Sequence, residues 1–277
     1  MALVIQTNVA SLQSQKNLNR TQTALSESFN RLSSGYRINS AKDDAAGLAI
    51  SEGMKTQIRS YTVAERNAND GISMAQTAEG ALGEVTAILS RMRELATQGA
   101  NGSLTSDDRT YLNTEFSAAQ SEVARIQTST KFNNKQLLST TAKSITLQVG
   151  LINTASDKIT VSFGGLGLTA LNSAATTNLL GSQATASLAA LSTIDTALKT
   201  VSTQRAKYGA AMNRLENTTS NIQTVRLNLS AANSRIRDVD VAEETATLSR
   251  NQVLSSAGAA VLAQANAAPQ LAMGLLR

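Results

Sequence analysis

Two stretches of this chain carry an apolar residue at every seventh position for far longer than a compact domain needs. From Met54 the register runs through Tyr61, Ala68, Ala75, Leu82, Leu89 and Ala96, beside a second stripe of Ala64, Ile72, Ala78, Val85, Met92 and Leu95. Towards the other end Ile194, Val201, Tyr208, Leu215, Ile222, Leu229 and Ile236 recur at the same spacing. Such recurrence through unbroken helix-forming sequence marks a helix seam. At about 1.5 Å per residue, a helix over 44–98 would be on the order of 80 Å long, so it must lie along a partner of similar length. The second stretch supplies that partner, which makes Leu82, Leu89, Ile194, Val201, Leu215, Ile222 and Leu229 the predicted intrachain seam. Small Ala on one seam opposite Leu and Ile on the other predicts a close approach of the two axes.

Composition agrees with long helices and excludes most chemistry. The 277 residues include no His, Cys or Trp and one Pro. A Ser/His/Asp triad, a thiolate nucleophile, an imidazole or thiolate zinc site and a disulfide framework are therefore all excluded. Four Phe and four Tyr are few for a globule of this length, which predicts a thin core. Ala, Leu, Ser, Thr, Asn and Gln dominate, and that alphabet favours packed helices over a sheet-centred fold.

The net charge of +5 is uneven. Lys16, Arg20, Arg31, Arg37 and Lys42 face only Glu27 within residues 1–42. No basic run and no aromatic stacking platform accompanies them, so a solvated or subunit-facing surface is expected and nucleic-acid binding is not. The N-terminal Met1-Ala-Leu-Val-Ile-Gln-Thr-Asn8 lacks the charged region and cleavage site of a Sec signal, and no stretch has the apolar length of a membrane span. Export, if it occurs, is expected to use a machine that does not read a cleaved signal.

Between the long helices the pattern changes twice. Gly99-Ala-Asn-Gly-Ser-Leu104 breaks the first, and Thr105 with Asp108 has capping-box spacing ahead of a helix expected near 106–129. Its apolar face is Tyr111, Leu112, Phe116, Ala119, Val123 and Ile126. Then Ile145-Thr-Leu-Gln-Val149 and Ile159-Thr-Val-Ser-Phe163 alternate strictly, which predicts a hairpin. The following Gly164-Gly-Leu-Gly167 lacks the spacing of a phosphate loop and reads as a turn. Asp43-Asp44 after Asn39-Ser40 reads as a helix start, with Ser40 and Asp43 in capping-box register, rather than as a metal site. No metal or cofactor is expected.

The two ends carry weaker stripes: Val9, Leu12, Leu18, Leu25, Phe29 and Leu32 at the front, and Leu254, Val261, Ala268 and Leu275 at the back. Their remaining faces are Asn, Gln, Ser, Thr and Ala rather than charge. Such helices gain little by folding alone and are expected to be buried against each other and against neighbouring copies. The predicted fold is thus mainly α: a long antiparallel, coiled-coil-like helix bundle with one small β-hairpin near 145–163 and paired termini. Residues 1–40 with 237–277 would form a terminal coiled-coil domain, and 41–236 the long-helix domain.

These residues resemble bacterial flagellin. The likeness rests on Thr7-Asn-Val-Ala-Ser-Leu12, Arg31-Leu-Ser-Ser-Gly35, Arg37-Ile-Asn-Ser-Ala-Lys-Asp-Asp-Ala-Ala-Gly47, Arg66-Asn-Ala-Asn-Asp-Gly-Ile72 and Arg91-Met-Arg-Glu-Leu-Ala96 at the front. At the back it rests on Asn213-Arg-Leu-Glu216, Leu229-Ser-Ala-Ala232, Ser234-Arg-Ile236, Val261-Leu-Ala-Gln-Ala-Asn266, Pro269-Gln270 and Leu275-Leu-Arg277. It covers 1–130 and 190–277, and the gap at 170–190 is too short for the outer domains many flagellins insert, so a minimal form is implied. The resemblance implies a non-enzymatic subunit that polymerises into the extracellular flagellar filament, with the terminal helices as inner tube. It further implies secretion through the flagellar type III export apparatus with an export chaperone, and filament cap and hook–filament junction proteins as partners. Arg91, Leu95 and Glu122 match positions by which host flagellin receptors bind the family, and Leu275-Leu276 matches the tail read by a cytosolic sensor. The alternative within the same axial class is a hook–filament junction protein. A rival enzyme reading needs a cleft with convergent polar groups, for which the chain has no inserted domain.

Overall fold

The computed structural model describes residues 7–168, 171 and 184–275, with the side chains of 184–185 and 269–275 outside that description. Five α-helices run through the described residues: α1 (Val9–Ser34), α2 (Ala45–Gly99), α3 (Ser106–Ser129), α4 (Ala184–Arg237) and α5 (Val241–Leu275). Between α3 and α4 lie two antiparallel strand pairs, β1 (Lys131–Phe132) with β2 (Lys135–Gln136), and β3 (Lys143–Gln148) with β4 (Lys158–Phe163). The chain divides into a terminal unit, Met1–Ile58 with Leu227–Arg277, and a central unit, Arg59–Arg226. The division falls inside α2 and α4.

In the central unit the α2 and α4 stripes meet as expected. Leu82, Leu89, Ile194, Val201, Tyr208 and Leu215 are fully buried, with Ile222 nearly so. Each such Leu or Ile contributes about 1.5–3 kcal/mol relative to an exposed side chain. Arg226 with Glu65, Arg205 with Glu79 and Arg93 with Asp195 pair along the two helices in opposite residue order, which fixes an antiparallel register. Close backbone approach of these two helices is not found, contrary to the expectation from the Ala seam. The facing Leu, Met, Tyr and Ile side chains, together with Phe116 and Val123 of α3 and Val161 and Phe163 of β4, fill the space between them. The Phe163 and Tyr208 rings sit with centroids 5.4 Å apart.

Helix α3 begins where its capping box demands. The Thr105 N–H donates to Asp108 Oδ2 at 3.0 Å, and the Asp108 N–H donates back to Thr105 Oγ1 at 3.3 Å. The Asp108 carboxylate also accepts the Thr105 hydroxyl at 2.6 Å, and that bond first, then the one from the Thr105 N–H, holds it below its ordinary pKa. The start of α2 differs from the sequence reading. Asp43 closes the preceding turn by accepting the N–H groups of Ser40 and Asn39, while Asp44 is the residue that caps α2, accepting the Gly47 N–H at 2.9 Å. An acid immediately before the first helical residue reaches the third amide of that helix, whereas Asp43 is one residue too early.

The predicted hairpin is present, with Ile145 opposite Val161 and Leu147 opposite Ile159. Val161 and Ile159 face the core, and Thr146 and Thr160 bond each other on the exposed side at 3.2 Å. Gly164, with φ +75°, ends β4 against Ser139 and Thr141, where a side chain would collide with backbone oxygens. The shorter β1–β2 pair was not anticipated. Its turn is Asn133-Asn134, both in the left-handed region at φ 45° and 61°, the conformation a two-residue hairpin turn requires.

Side-chain amides fasten these strands to the helices. Asn67 Nδ2 donates to Gln148 O at 2.9 Å, Gln204 Nε2 to Ser162 O at 3.0 Å, Gln127 Nε2 to Leu166 O at 3.3 Å, and Gln120 Nε2 to Leu171 O. The first two hold carbonyls of β3 and β4, and the last two hold carbonyls of the segment that follows β4. Arg109, buried on α3, likewise donates to the carbonyls of Gly99 and Asn101 at the end of α2. Burial pushes the Tyr208 hydroxyl pKa up; Gln204 and the Gly164 backbone offset this in part, though neither meets hydrogen-bond geometry with it.

The terminal unit pairs α1 with α5 so closely that their Cα atoms approach within 8 Å along the helices. Gly35 caps α1 at φ +73°, and the segment after it bridges to the end of α4: Arg37 N–H to Arg237 O at 2.7 Å and Val239 N–H to Gly35 O at 3.1 Å. The Arg237 guanidinium lies 4.5 Å from the Tyr36 ring centroid and pairs with Glu52 at 2.7 Å. Ile38 is the one apolar side chain fully withdrawn from solvent among the described residues of this unit, apart from the glycine Gly47.

Candidate functional site

The α1–α5 pair has two kinds of face. On α1 the residues turned towards its partner are Ser11, Leu18, Leu25 and Leu32, with Ser14, Thr21 and Ser28 between them. On α5 they are Glu244, Asn251, Gly258 and Ala265, with Leu248, Ser255 and Leu262 between them. Both sets repeat at seven, so the pair is a two-stranded seam in which every second layer is small or polar. Gly258 allows Leu18 to seat against α5, since a Cβ there would stand 3.3 Å from Leu18 Cδ1. At one end Ser11 Oγ donates to Asn266 Oδ1 at 2.6 Å, and Asn8 both caps α1 and donates from Nδ2 to Ala265 O at 2.7 Å. Towards the other end Arg31 lies 3.6 Å from Glu244.

The stripes read from the sequence divide between these faces. Leu18, Leu25 and Leu32 belong to the seam and are half-buried. Val9, Leu12 and Phe29 are exposed, as are Leu254 at 50% and Val261 at 57%. The Leu275 side chain lies outside the described residues. Val253, missed by the sequence reading, is 68% exposed beside Leu254. Hydrophobic periodicity alone found the outward stripe of α5 and overlooked its inward one, because Asn251, Ser255 and Gly258 carry no apolar signal. The seven residues from Asn251 to Gly258, with Ser255 between them, were the available clue.

The other predicted residues are placed as follows. Leu82, Leu89, Ile194, Val201, Leu215 and Ile222 lie together in the core, and Leu229, further along α4, is half-buried. Arg91 is half-exposed, bound by Glu115 at 2.8 Å and Glu94 at 2.9 Å, and those carboxylates, Glu115 first, push its pKa above the ordinary arginine value. Glu122 chelates Arg125 at 2.6 and 2.7 Å, which holds its carboxyl below the ordinary range. Leu95 does not stand beside Arg91 as an accessible apolar knob. It is 1% exposed, because the turn of α2 that lets Arg91 reach solvent points Leu95 between the helices. Among the described residues no group of three or more acids could hold a metal ion, and no helix is long and apolar enough to cross a membrane.

Long antiparallel helices, one anchored hairpin and an apolar face left outside the terminal pair define a structural helical subunit. Comparison with known proteins gives the family. A model described as the bacterial flagellin N-terminal helical region matches residues 5–143, and one described as the bacterial flagellin C-terminal helical region matches residues 191–276. The chain belongs to the flagellin family. It is 42% identical to a flagellin of Halalkalibacterium halodurans, over 99% of this chain and 100% of that one. It is 37% identical to the flagellar filament 33 kDa core protein of Treponema phagedenis, over 99% and 100%. A solved structure of a putative flagellar hook-associated protein from Vibrio parahaemolyticus shares the fold at TM-score 0.61, with 15% identity over 71% of this chain and 100% of that one. The two matched regions leave only 144–190 between them, so the chain has the minimal form without outer variable domains.

Proposed function

We infer that this chain is a structural subunit that polymerises with copies of itself into the bacterial flagellar filament used for swimming, and that the terminal helices are the surface through which it does so. The observation carrying the second part is that Val9, Leu12, Phe29, Val253, Leu254 and Val261 are left exposed on a helix pair whose own seam is already filled. Large apolar side chains clustered outside such a pair are costly to hydrate. Covering it with further copies would bury it on several sides.

The filament reading is favoured over a hook–filament junction protein because both flagellin models match this chain, whereas the hook-associated neighbour shares the fold alone. Secretion in unfolded form through the flagellar type III export apparatus, with an export chaperone, fits a chain without cysteine and with a thinly packed terminal unit. The cap and the hook–filament junction proteins are the further partners this reading entails. Should a host receptor bind the monomer at this part of α2 and α3, Arg91 and Glu122 are the side chains accessible to it, and Leu95 would act through packing.

The test is seeded polymerisation of purified chain. Leu254→Asp and Val261→Asp each place a carboxylate in a surface expected to become dry, at a cost of several kcal/mol if unpaired. Both variants are expected to keep the helical content of the monomer and to form no filaments. Filaments of normal length from both would remove the terminal helices from the assembly surface.

A further inference from the structure

The turn between α2 and α3 holds the chain's single Asn-Gly pair, Asn101-Gly102. Residues 101–103 are exposed, and a Cβ built on Gly102 meets only open space. Two of the hydrogen bonds at Asn101 bear on its reactivity. Its side-chain Oδ1 accepts the backbone N–H of Ser103 at 3.1 Å, and its backbone carbonyl accepts Arg109 Nη2 at 2.9 Å. Arg109 is itself 5% exposed and also donates to the Gly99 carbonyl, so its guanidinium is fixed in place.

We propose that Asn101 is a site of self-catalysed deamidation, with the Gly102 nitrogen as nucleophile. The carbonyl that Arg109 holds belongs to the same peptide unit as that nitrogen. A fixed cation drawing electron density from this amide makes its N–H more acidic and favours the deprotonated form. The Ser103 N–H, in turn, is bonded to the oxygen on which negative charge collects when Asn101 Cγ becomes tetrahedral. Glycine adds no side chain to obstruct the approach.

In the first step a solvent base takes the Gly102 proton, the Gly102 N–Cγ bond forms, and the Cγ–Nδ2 bond breaks as ammonia leaves with a proton. The resulting five-membered succinimide is then opened by water. Addition at Cγ gives aspartate, and addition at the main-chain carbonyl gives isoaspartate, with the ring C–N bond breaking in each case. Either product replaces a neutral amide by a carboxylate and lowers the net charge by one. Isoaspartate also lengthens the main chain by one carbon within the turn and displaces the carbonyl that anchors Arg109.

The experiment incubates the full chain at mildly alkaline pH, folded and in urea, and maps peptides by mass spectrometry with enzymatic isoaspartate labelling. Asn101 is expected to convert faster than any other asparagine, and faster in the folded chain than in urea. Gly102→Ala should slow conversion at least about tenfold in the folded chain. Arg109→Gln should remove the advantage of the folded state, provided circular dichroism shows the helices retained; otherwise the comparison of folded with unfolded wild-type chain decides. Equal or slower conversion in the folded chain would overturn the proposal, since the turn would then protect Asn101 instead of activating it.

Discussion

The central and terminal units are built from the same helix-forming alphabet, yet one finishes its own core and the other does not. In the central unit Leu82, Leu89, Tyr208 and Phe163 are enclosed by α3 and the hairpin as well as by the opposite long helix. In the terminal unit Leu18, Leu25 and Leu32 reach only half-burial against α5, and Ile38 is the one large apolar side chain fully withdrawn among the described residues. The difference is one of layers. Two helices can cover one face of each other and nothing more, whereas a third helix and a hairpin close the remaining sides. A pair that stops at two layers keeps its outer apolar stripe available.

That contrast can be broken most severely by exchanging equivalent truncations. Leu82→Ala should destabilise the monomer by about 2–5 kcal/mol in denaturant titration, because the enclosed site cannot collapse fully. Leu254→Ala should shift the same titration by no more than about 0.5 kcal/mol, as for a surface change. Similar losses at both positions would show that the terminal stripe is already buried in the monomer.

Native-state hydrogen exchange should sharpen it. Amides of α1 and α5 are expected to exchange well before those of α2 around residues 82–96, since opening the pair exposes few buried apolar contacts. Uniform protection across both regions would erase the distinction.

A smaller effect is expected at the terminal seam itself. Gly258→Ala gains up to about 1 kcal/mol of helix propensity and asks only that the end of the Leu18 side chain shift by a few tenths of an ångström. It should therefore raise the helicity of the terminal pair, read by circular dichroism. Gly258→Leu should lower it by forcing the helices apart.

The smallest effect concerns acid. Asp43 and Asp108 have folded pKa values below the ordinary aspartate value, held there chiefly by bonds from Ser40 and Thr105 respectively. Their contribution is therefore complete above the ordinary value and is lost as pH falls through the depressed one. Thr105→Ala should flatten part of this acid dependence in a melting series, with no change near neutrality in its slope with pH.

The sequence disclosed what is local or strongly periodic. Helix α3 was legible to the residue because Thr105 and Asp108 fix its start by spacing, and the hairpin was legible because alternation admits one pleat. The inner seam was legible on α1 through Leu18, Leu25 and Leu32 but not elsewhere, since Ser11, Ser28, Asn251 and Gly258 act through smallness and hydrogen bonding, which hydrophobic periodicity does not register. Leu95 lies where the apolar stripe of α2 puts it, inside the core, although it is also one of the receptor-match positions. That Arg91, four residues earlier, stays outside depends on where α3 and α4 lie, which spacing alone does not show.

Asn67 and Gln204 fasten the strands and Gln120 and Gln127 the segment after them, and all four are amides. An amide neither gains nor loses a proton across the range in which carboxylates and imidazoles do, and it has no thiol to oxidise. The latches of the hairpin are thus indifferent to the acidity and redox state of the surrounding medium. While the Asp43 turn before α2 and the Asp108 cap of α3 weaken at low pH, the hairpin keeps its grip on the helices.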